Sequence, residues 1–298
     1  MDSIIMIDAN WQVNLNDIKH LETIEQRNHV TLYKSLWRQY QTVCVKKIKV
    51  TPKNYRYVQR EYDIVKICAH PCVYQFYGAC VEKTDLDEYV YFLFEYMDNG
   101  NLLEYIRENP NLIPWTQKQN IVRTIAIGMH YLFSRKPISI IHRDFKPENI
   151  LVNLHGEVKI ADFGISKQLL NEIDSPHSGS NSIKLLDPLT CSSIGTLRWT
   201  APEILCPENQ ETTYTHLCDI YSLGLLIYFV YTEKVPYWEQ FQNNGAKITY
   251  AKMKNIRPFL DDLKADTPLY SLVEMCTEKD PAKRPQSPEV IINKFFCC

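Results

Sequence analysis

Glycine is scarce in this sequence. The 298 residues include nine glycines, about 3% where about 7% is usual, and the first is Gly78. Chemistry that needs a glycine loop in the first quarter of the chain is therefore excluded in its ordinary form. A strong charge of either sign is also missing, since 33 Lys and Arg face 35 Asp and Glu for a net charge of −2. Without a long basic run, a dedicated binder of nucleic acid or membrane surfaces is disfavoured. The longest apolar run, Ile220 to Tyr231, is interrupted by Ser222 and Gly224. It falls short of the roughly 20 residues that cross a bilayer, so no transmembrane segment is expected. Asp2 and Asp8 stand where a secretory leader would be basic and then apolar. Ten cysteines, from Cys44 to Cys298, form no dense framework. They suit reduced thiols and a cytoplasmic setting.

What is present supports a sizeable core. Hydrophobic residues make up 45% of the chain and charged ones 23%, which excludes global disorder. At roughly 100–200 residues per domain, the length fits one large domain or two lobes that share a site. Short β-rich runs between Ile18 and Val50 predict strands, and Tyr55 to Ala69 has helical spacing closed by Pro71. Val73–Val81 and Tyr89–Glu95 predict two more strands around an acidic turn. Five strands and one helix fit a small sheet-rich lobe. Beyond Gly100 helices dominate: Ile121, Ile125, Met129 and Leu132 share a face, Ile220–Tyr231 reads as buried, and Glu289–Phe296 closes the chain. The polar stretch between Ser166 and Gly195 reads as one long loop.

The most informative stretch is IIHRDFKPENILVNLHGEVKIADFG, from Ile140 to Gly164. Ile150–Val152 and Val158–Ile160 are short apolar strands joined by a turn around Asn153–Gly156. A hairpin brings its open ends together, and here those ends carry Asn149 and Asp162. An amide beside a carboxylate offers the oxygen ligands that Mg²⁺ prefers. Asp144 precedes Asn149 in a loop that Pro147 keeps from becoming helix, placed to accept a proton from a hydroxyl near that metal. Lys146 adds positive charge where a transferring phosphoryl group would gather negative charge.

HRDFKPEN and DFG, in content and spacing, resemble the catalytic loop and metal motif of protein kinases. The likeness runs from about Trp11 to Phe296. Val43-Cys44-Val45-Lys46 resembles the strand of the nucleotide lysine, Glu61 its helix partner, and Glu95-Tyr96-Met97 the hinge between lobes. Ala201-Pro202-Glu203 matches the end of an activation segment, and Asp219, Asp280 and Arg284 match structural motifs of a large lobe. The lead-in Trp11…Asp17-Ile18, the stretch Leu32-Tyr33-Lys34…Trp37 and the run Gly195–Glu203 look like the tyrosine-kinase-like group of serine/threonine kinases.

The resemblance implies an α+β, two-lobed kinase fold. Residues 1–17 would be an N-terminal extension, 18–96 the small lobe, 97–100 the hinge, 101–298 the large lobe and 162–203 the activation segment. It implies ATP and Mg²⁺ as cofactors and a protein substrate phosphorylated on Ser or Thr. Asp144 and Lys146 would be catalytic, and Asn149 and Asp162 would hold the metal. The nucleotide site would draw on Ile24, Glu25, Arg27, Val30, Leu32, Cys44, Lys46, Glu61, Phe94, Glu95, Met97 and Leu151. Leu32 and Cys44 above and Leu151 below would sandwich the adenine, with Phe94 narrowing the back of the pocket. Lys146 and Thr196 resemble the pair that serine/threonine kinases place around the acceptor hydroxyl. Arg143 and Lys167 would receive a phosphate on Thr190, Ser192 or Ser193, added by an upstream kinase or in cis. Nothing in the resemblance bears on oligomeric state.

The pattern breaks in one place. Counting back from Leu32 along GxGxxGxV, the glycine positions fall on Glu25, Arg27 and Val30. Side chains there keep backbone amides from approaching phosphates closely, which predicts weakened ATP binding. Asn28 tolerates the turn, and His29 takes the place where an aromatic often caps the phosphates. Two functions follow: an active serine/threonine kinase, or a pseudokinase that keeps the fold as an interaction and signalling module. Glu203 and Arg284 are expected to form a buried structural ion pair. Cys68 and Cys72 beside His70 lack two further ligands and read as core, and Cys297-Cys298 does not fit a prenylation ending.

Overall fold

The computed structural model describes residues 5–27, 29–170, 194–205, 215–263 and 268–295. Its small lobe is a five-stranded antiparallel sheet of order β1-β2-β3-β5-β4. The strands are β1 (Ile18–Arg27), β2 (Val30–Trp37), β3 (Gln41–Val50), β4 (Phe76–Lys83) and β5 (Glu88–Glu95), with helix α1 (Tyr55–Val65) between β3 and β4. Register decides what each face carries. Leu32 pairs with Lys46 and Lys46 with Phe92, while Cys44 pairs with Phe94, so these residues share one face. Val43, Val45, Tyr91 and Leu93 point the other way and form a separate small core with Trp37 and Cys80. In β3, β4 and β5 both faces carry buried residues, which explains why these strands are not simply half polar, whereas β1 is exposed along most of its length.

Helix α1 turns Val58, Tyr62, Ile64 and Val65 into the lobe, and Glu61 is buried with them. The N-terminal residues lie against this lobe. Ile5 is buried, and the Asp8 carboxylate accepts from the Tyr62 hydroxyl at 3.0 Å and from Lys66 Nζ at 2.8 Å. Val13 N donates to Ala79 O at 3.0 Å. Gly78 makes that contact feasible: its φ is +153°, and a Cβ there would sit 2.6 Å from Val13 Cγ1 and 2.7 Å from the Trp11 carbonyl.

The large lobe follows with α2 (Leu102–Glu108), α3 (Trp115–Ser134), β6 (Ile138–Ile141), β7 (Ile150–Val152), β8 (Val158–Ile160) and β9 (Lys167–Leu170). Then come α4 (Ile194–Leu197), α5 (Pro202–Leu205), α6 (Leu217–Thr232), α7 (Trp238–Phe241), α8 (Gly245–Met253), α9 (Pro268–Cys276) and α10 (Pro288–Phe295). Helix α6 is apolar all round because it is enclosed all round, with every residue from Leu217 to Val230 buried. Gly224 lets α9 come close, since a Cβ there would lie 2.6 Å from Cys276 Cβ. Among the described residues no helix is long and apolar enough to cross a membrane.

Two sequence expectations shift. Residues Val73 and Tyr74 do not join β4: Val73 bridges Ile160, and Tyr74 N donates to Ile160 O at 2.9 Å, so their backbone ties the small lobe to β8. Helical spacing likewise ends at Val65 rather than Ala69, in the turn that leads to this tie. The stretch read as one long loop contains β9, which pairs antiparallel with β6 from Ile141–Lys167 to Ile138–Leu170. That partner lies far away in sequence, which local pattern cannot reveal.

Candidate active site

The cleft is built by three local devices. The first is the β3–α1 pair. Lys46 points from the sheet's inner face, and Glu61 rises from the one buried polar position of α1. They meet at 2.5 Å, Nζ to Oε1, with side chains 18% and 7% exposed. Burial works against the Lys46 charge, but Glu61 and then Asp162 outweigh it and hold the amine above the ordinary lysine range. Burial pushes the Glu61 carboxyl up, opposed by Lys46.

The second device is the β7–β8 hairpin. Ile150 pairs with Ile160, and Ala161 N donates to Asn149 O at 2.9 Å, which sets Asn149 and Asp162 at neighbouring ends. Asp162 adopts φ of +61°, a conformation costly for a residue with a side chain. Its carboxylate is half exposed and lies 3.7 Å from Lys46 Nζ. Burial raises its pKa, but Lys46 and the Gly164 amide prevail and leave it below the usual aspartate value. The amide nitrogen of Asn149 is spent on Asp144, donating to its carbonyl and to Oδ2 at 2.8 Å each. The Asn149 amide oxygen is thus the atom left to ligate. An amide oxygen beside an ionised carboxylate fits a hard divalent cation.

The third device is the loop before that hairpin. Asp219, buried on α6, accepts from the backbone N–H groups of His142 and Arg143 at 2.8 Å each, and burial raises its carboxyl despite them. Arg143 takes φ of +68° and donates through Nε to the Ile165 carbonyl at 2.8 Å. So anchored, the loop presents Asp144. Lys146 Nζ donates to Asp144 Oδ2 at 2.7 Å and to Thr196 Oγ1 at 3.2 Å. Two stretches 50 positions apart therefore meet at one ammonium.

The other expected positions are distributed unevenly. Cys44 and Phe94 are cross-strand partners on the inner face; Phe94 is buried and stacks on Tyr74 at 4.8 Å, and burial pushes the Cys44 thiol up. Met97 is buried, and Leu151 bridges Asn101 at the lower wall. Glu95 points elsewhere: both of its carboxylate oxygens accept from Lys159 Nζ at 2.7 Å, and Gln75 N donates to it. That ion pair joins the hinge to β8, and Lys159 escaped the sequence reading because alternation along β8 marks it only as outward-facing. At the loop expected to hold glycines, Arg27 pairs with Val30, Glu25 with Leu32, and Arg27 forms an ion pair with Glu25. Ile24 beside them is about half exposed. Lys167 is placed by its backbone in β9, whereas Asn28, Thr190, Ser192 and Ser193 lie outside the described residues.

The profile of the protein kinase domain family matches residues 28–296. A protein of Acanthamoeba polyphaga mimivirus, named among serine/threonine-protein kinase/receptors, is 31% identical over 289 residues, 95% of this chain and 16% of its own length. The human tyrosine-protein kinase FRK is 27% identical over 277 residues, 92% of this chain and 50% of its own. Mitogen-activated protein kinase kinase kinase 3 of Arabidopsis thaliana is 29% identical over 241 residues, covering 80% of this chain and 34% of its own. The chain thus spans at most half the length of these relatives.

Proposed function

The chain belongs to the protein kinase family, and we propose that it transfers the γ-phosphate of Mg-ATP to Ser and Thr hydroxyls of protein substrates. The observation that carries the Ser/Thr reading is the Lys146 ammonium between Asp144 Oδ2 and Thr196 Oγ1. A short aliphatic hydroxyl reaching the same point would find a carboxylate to take its proton and a cation to offset the phosphoryl charge.

In this reading Lys46 holds the α- and β-phosphates and Glu61 fixes its direction. Asp162 and the Asn149 amide oxygen would hold Mg²⁺, which when bound neutralises phosphate charge. Asp144 orients the acceptor and receives its proton, and Lys146 donates to its carboxylate alongside. Leu32, Cys44, Met97 and Leu151 supply an apolar slot for the base, with Phe94 at its back. Arg143 and Lys167 would meet a phosphorylated activation segment. A cytoplasmic setting, rich in ATP and magnesium, belongs to the same proposal.

The test compares wild type with Asp144→Asn, using Mg-ATP and casein and hydrolysing the product for phosphoamino acids. Phosphoserine and phosphothreonine from wild type alone are expected. Equal labelling in both proteins, or phosphotyrosine as the product, overturns the reading.

One observation favours a second reading, a pseudokinase. The glycine positions carry Glu25, Arg27 and Val30, whose side chains keep backbone amides from phosphates, and Arg27 forms an exposed ion pair with the acidic Glu25. Thermal shift with millimolar Mg-ATP separates the two, because a ligand that binds only the folded state raises the midpoint. No shift together with no transfer favours the second.

A further inference from the structure

The stretch that carries Thr196 is held in an unusual way. Five successive carbonyls, from Thr196 to Thr200, all accept hydrogen bonds. Thr196 O accepts from Trp199 N and from the Thr200 hydroxyl at 3.0 Å each. Trp199 O accepts from Ser222 Oγ on α6 at 2.9 Å. The remaining ones converge on a single cation: Lys252 Nζ, in the last turn of α8, donates to Leu197 O at 3.1 Å and to Arg198 O and Thr200 O at 2.6 Å each.

Lys252 is 2% exposed and Arg198 3%. The Arg198 guanidinium leaves the same stretch in another direction. It donates to Pro236 O at 3.0 Å, to Asn243 Oδ1 at 3.2 Å and to Gln242 O, and lies 5.1 Å from the Trp238 ring. Gln242 presents its carbonyl from φ of +45° and ψ of −132°, a backbone that favours glycine. Burying two cations is costly, and methionine or leucine would fill such space without that cost. An ammonium does what they cannot: it fixes several carbonyls at one point.

We infer that Lys252 is a positioning residue for the protein acceptor, with Arg198 locking the same stretch from its other side chain contacts. By fixing the backbone from Leu197 to Thr200 it sets Thr196, whose hydroxyl meets Lys146 and through it Asp144. Helix α8 is thereby connected to the reacting centre through carbonyls rather than through packing alone. The inference rests on the proposed kinase reading for its functional part, but its structural part can be measured without turnover.

The test uses the full chain as wild type, Lys252→Met and Lys252→Arg. Amide hydrogen exchange is read over 195–201 and over α6, Mg-ATP affinity by calorimetry, and KM and kcat on a casein-derived peptide. Lys252→Met is expected to speed exchange over 195–201 and not over α6. It should raise peptide KM about tenfold, the change that about 1.4 kcal/mol of lost acceptor binding gives, and leave Mg-ATP affinity within about twofold. Lys252→Arg, which can still donate to carbonyls, should recover most of the peptide KM. Unchanged exchange over 195–201 in Lys252→Met overturns the inference, as does acceleration that spreads equally through α6 with loss of nucleotide binding. If wild type labels no protein, the kinase reading fails, while local exchange in Lys252→Met still decides whether the cation sets this stretch.

Discussion

Arg284 donates from both terminal nitrogens to the two carboxylate oxygens of Glu203, each at 2.7 Å, across 81 positions of sequence. The arginine side chain is fully shielded and that of Glu203 is 19% exposed. The same guanidinium also donates to the carbonyls of Leu217, Glu278 and Lys279, so it ties α5, α6 and the loop after α9 together. Removing one partner strands the other as a buried charge, which is worse than losing the pair. Glu203→Gln should therefore cost about 3 kcal/mol. Urea denaturation checks this; a loss below about 1 kcal/mol, the usual worth of an exposed pair, would mean the site is wetter than its geometry suggests.

The nucleotide loop makes a second case. In the proposed reading Glu25, Arg27 and Val30 occupy positions where backbone approach to phosphates matters, and Glu25 is acidic. Restoring glycine at Glu25, Arg27 and Val30 together should tighten Mg-ATP binding roughly tenfold, about 1.4 kcal/mol. Isothermal titration of the triple variant against wild type reads it directly. Equal or weaker affinity would show that the present loop already compensates.

At Gly78 both space and backbone angle forbid a side chain. Gly78→Ala should push residues 11–13 off β4 and destabilise the small lobe by about 1–3 kcal/mol. Hydrogen exchange at Val13 and Ala79 should rise first, since Val13 N donates to Ala79 O. Protection that survives the substitution would contradict this.

Acid sensitivity has an identifiable contributor in the small lobe. His20 stacks on Tyr33 at 4.2 Å and shares a 2.8 Å hydrogen bond with Ser35. His20 lies at an exposed position of β1, so its burial is only partial; that partial burial, and then the charge of Lys47, hold its pKa below the ordinary 6.5. The unfolded chain therefore takes up this proton first as pH falls below about 6.5, and stability drops with it. His20→Phe should flatten the decline in melting temperature between about pH 7.5 and pH 5.5. An unchanged slope would move the effect to His70 or His216, whose pKa values burial also lowers.

Much of the cleft was readable because its parts are local. Asp144, Lys146, Asn149 and Asp162 fall within 19 residues, around a hairpin whose two strands appear in the sequence as short apolar runs. Lys46 and Glu61 were readable through their motif neighbours, and the geometry brings them together. What escaped was long-range and made through backbone. Lys252 reaches carbonyls more than 50 positions away, and no side-chain motif announces a carbonyl. Lys159 has the sequence signature of any outward strand lysine, and only its distant partner, the Glu95 carboxylate, sets it apart. The tie between Tyr74 and Ile160, likewise, took residues that pattern alone would give to a strand.

The clasp of Asp8 on Tyr62 and Lys66 has a practical consequence. Tyr62 and Lys66 lie at the end of the helix that carries Glu61, so the clasp holds that helix from outside. A shortened fragment beginning at Ile18 would retain every side chain proposed for phosphoryl transfer, yet leave the helix that aims the lysine's partner without its outer fastening. Under the proposed kinase reading such a fragment folds and binds nucleotide but turns over slowly, and a sluggish preparation then reports on where the gene was cut.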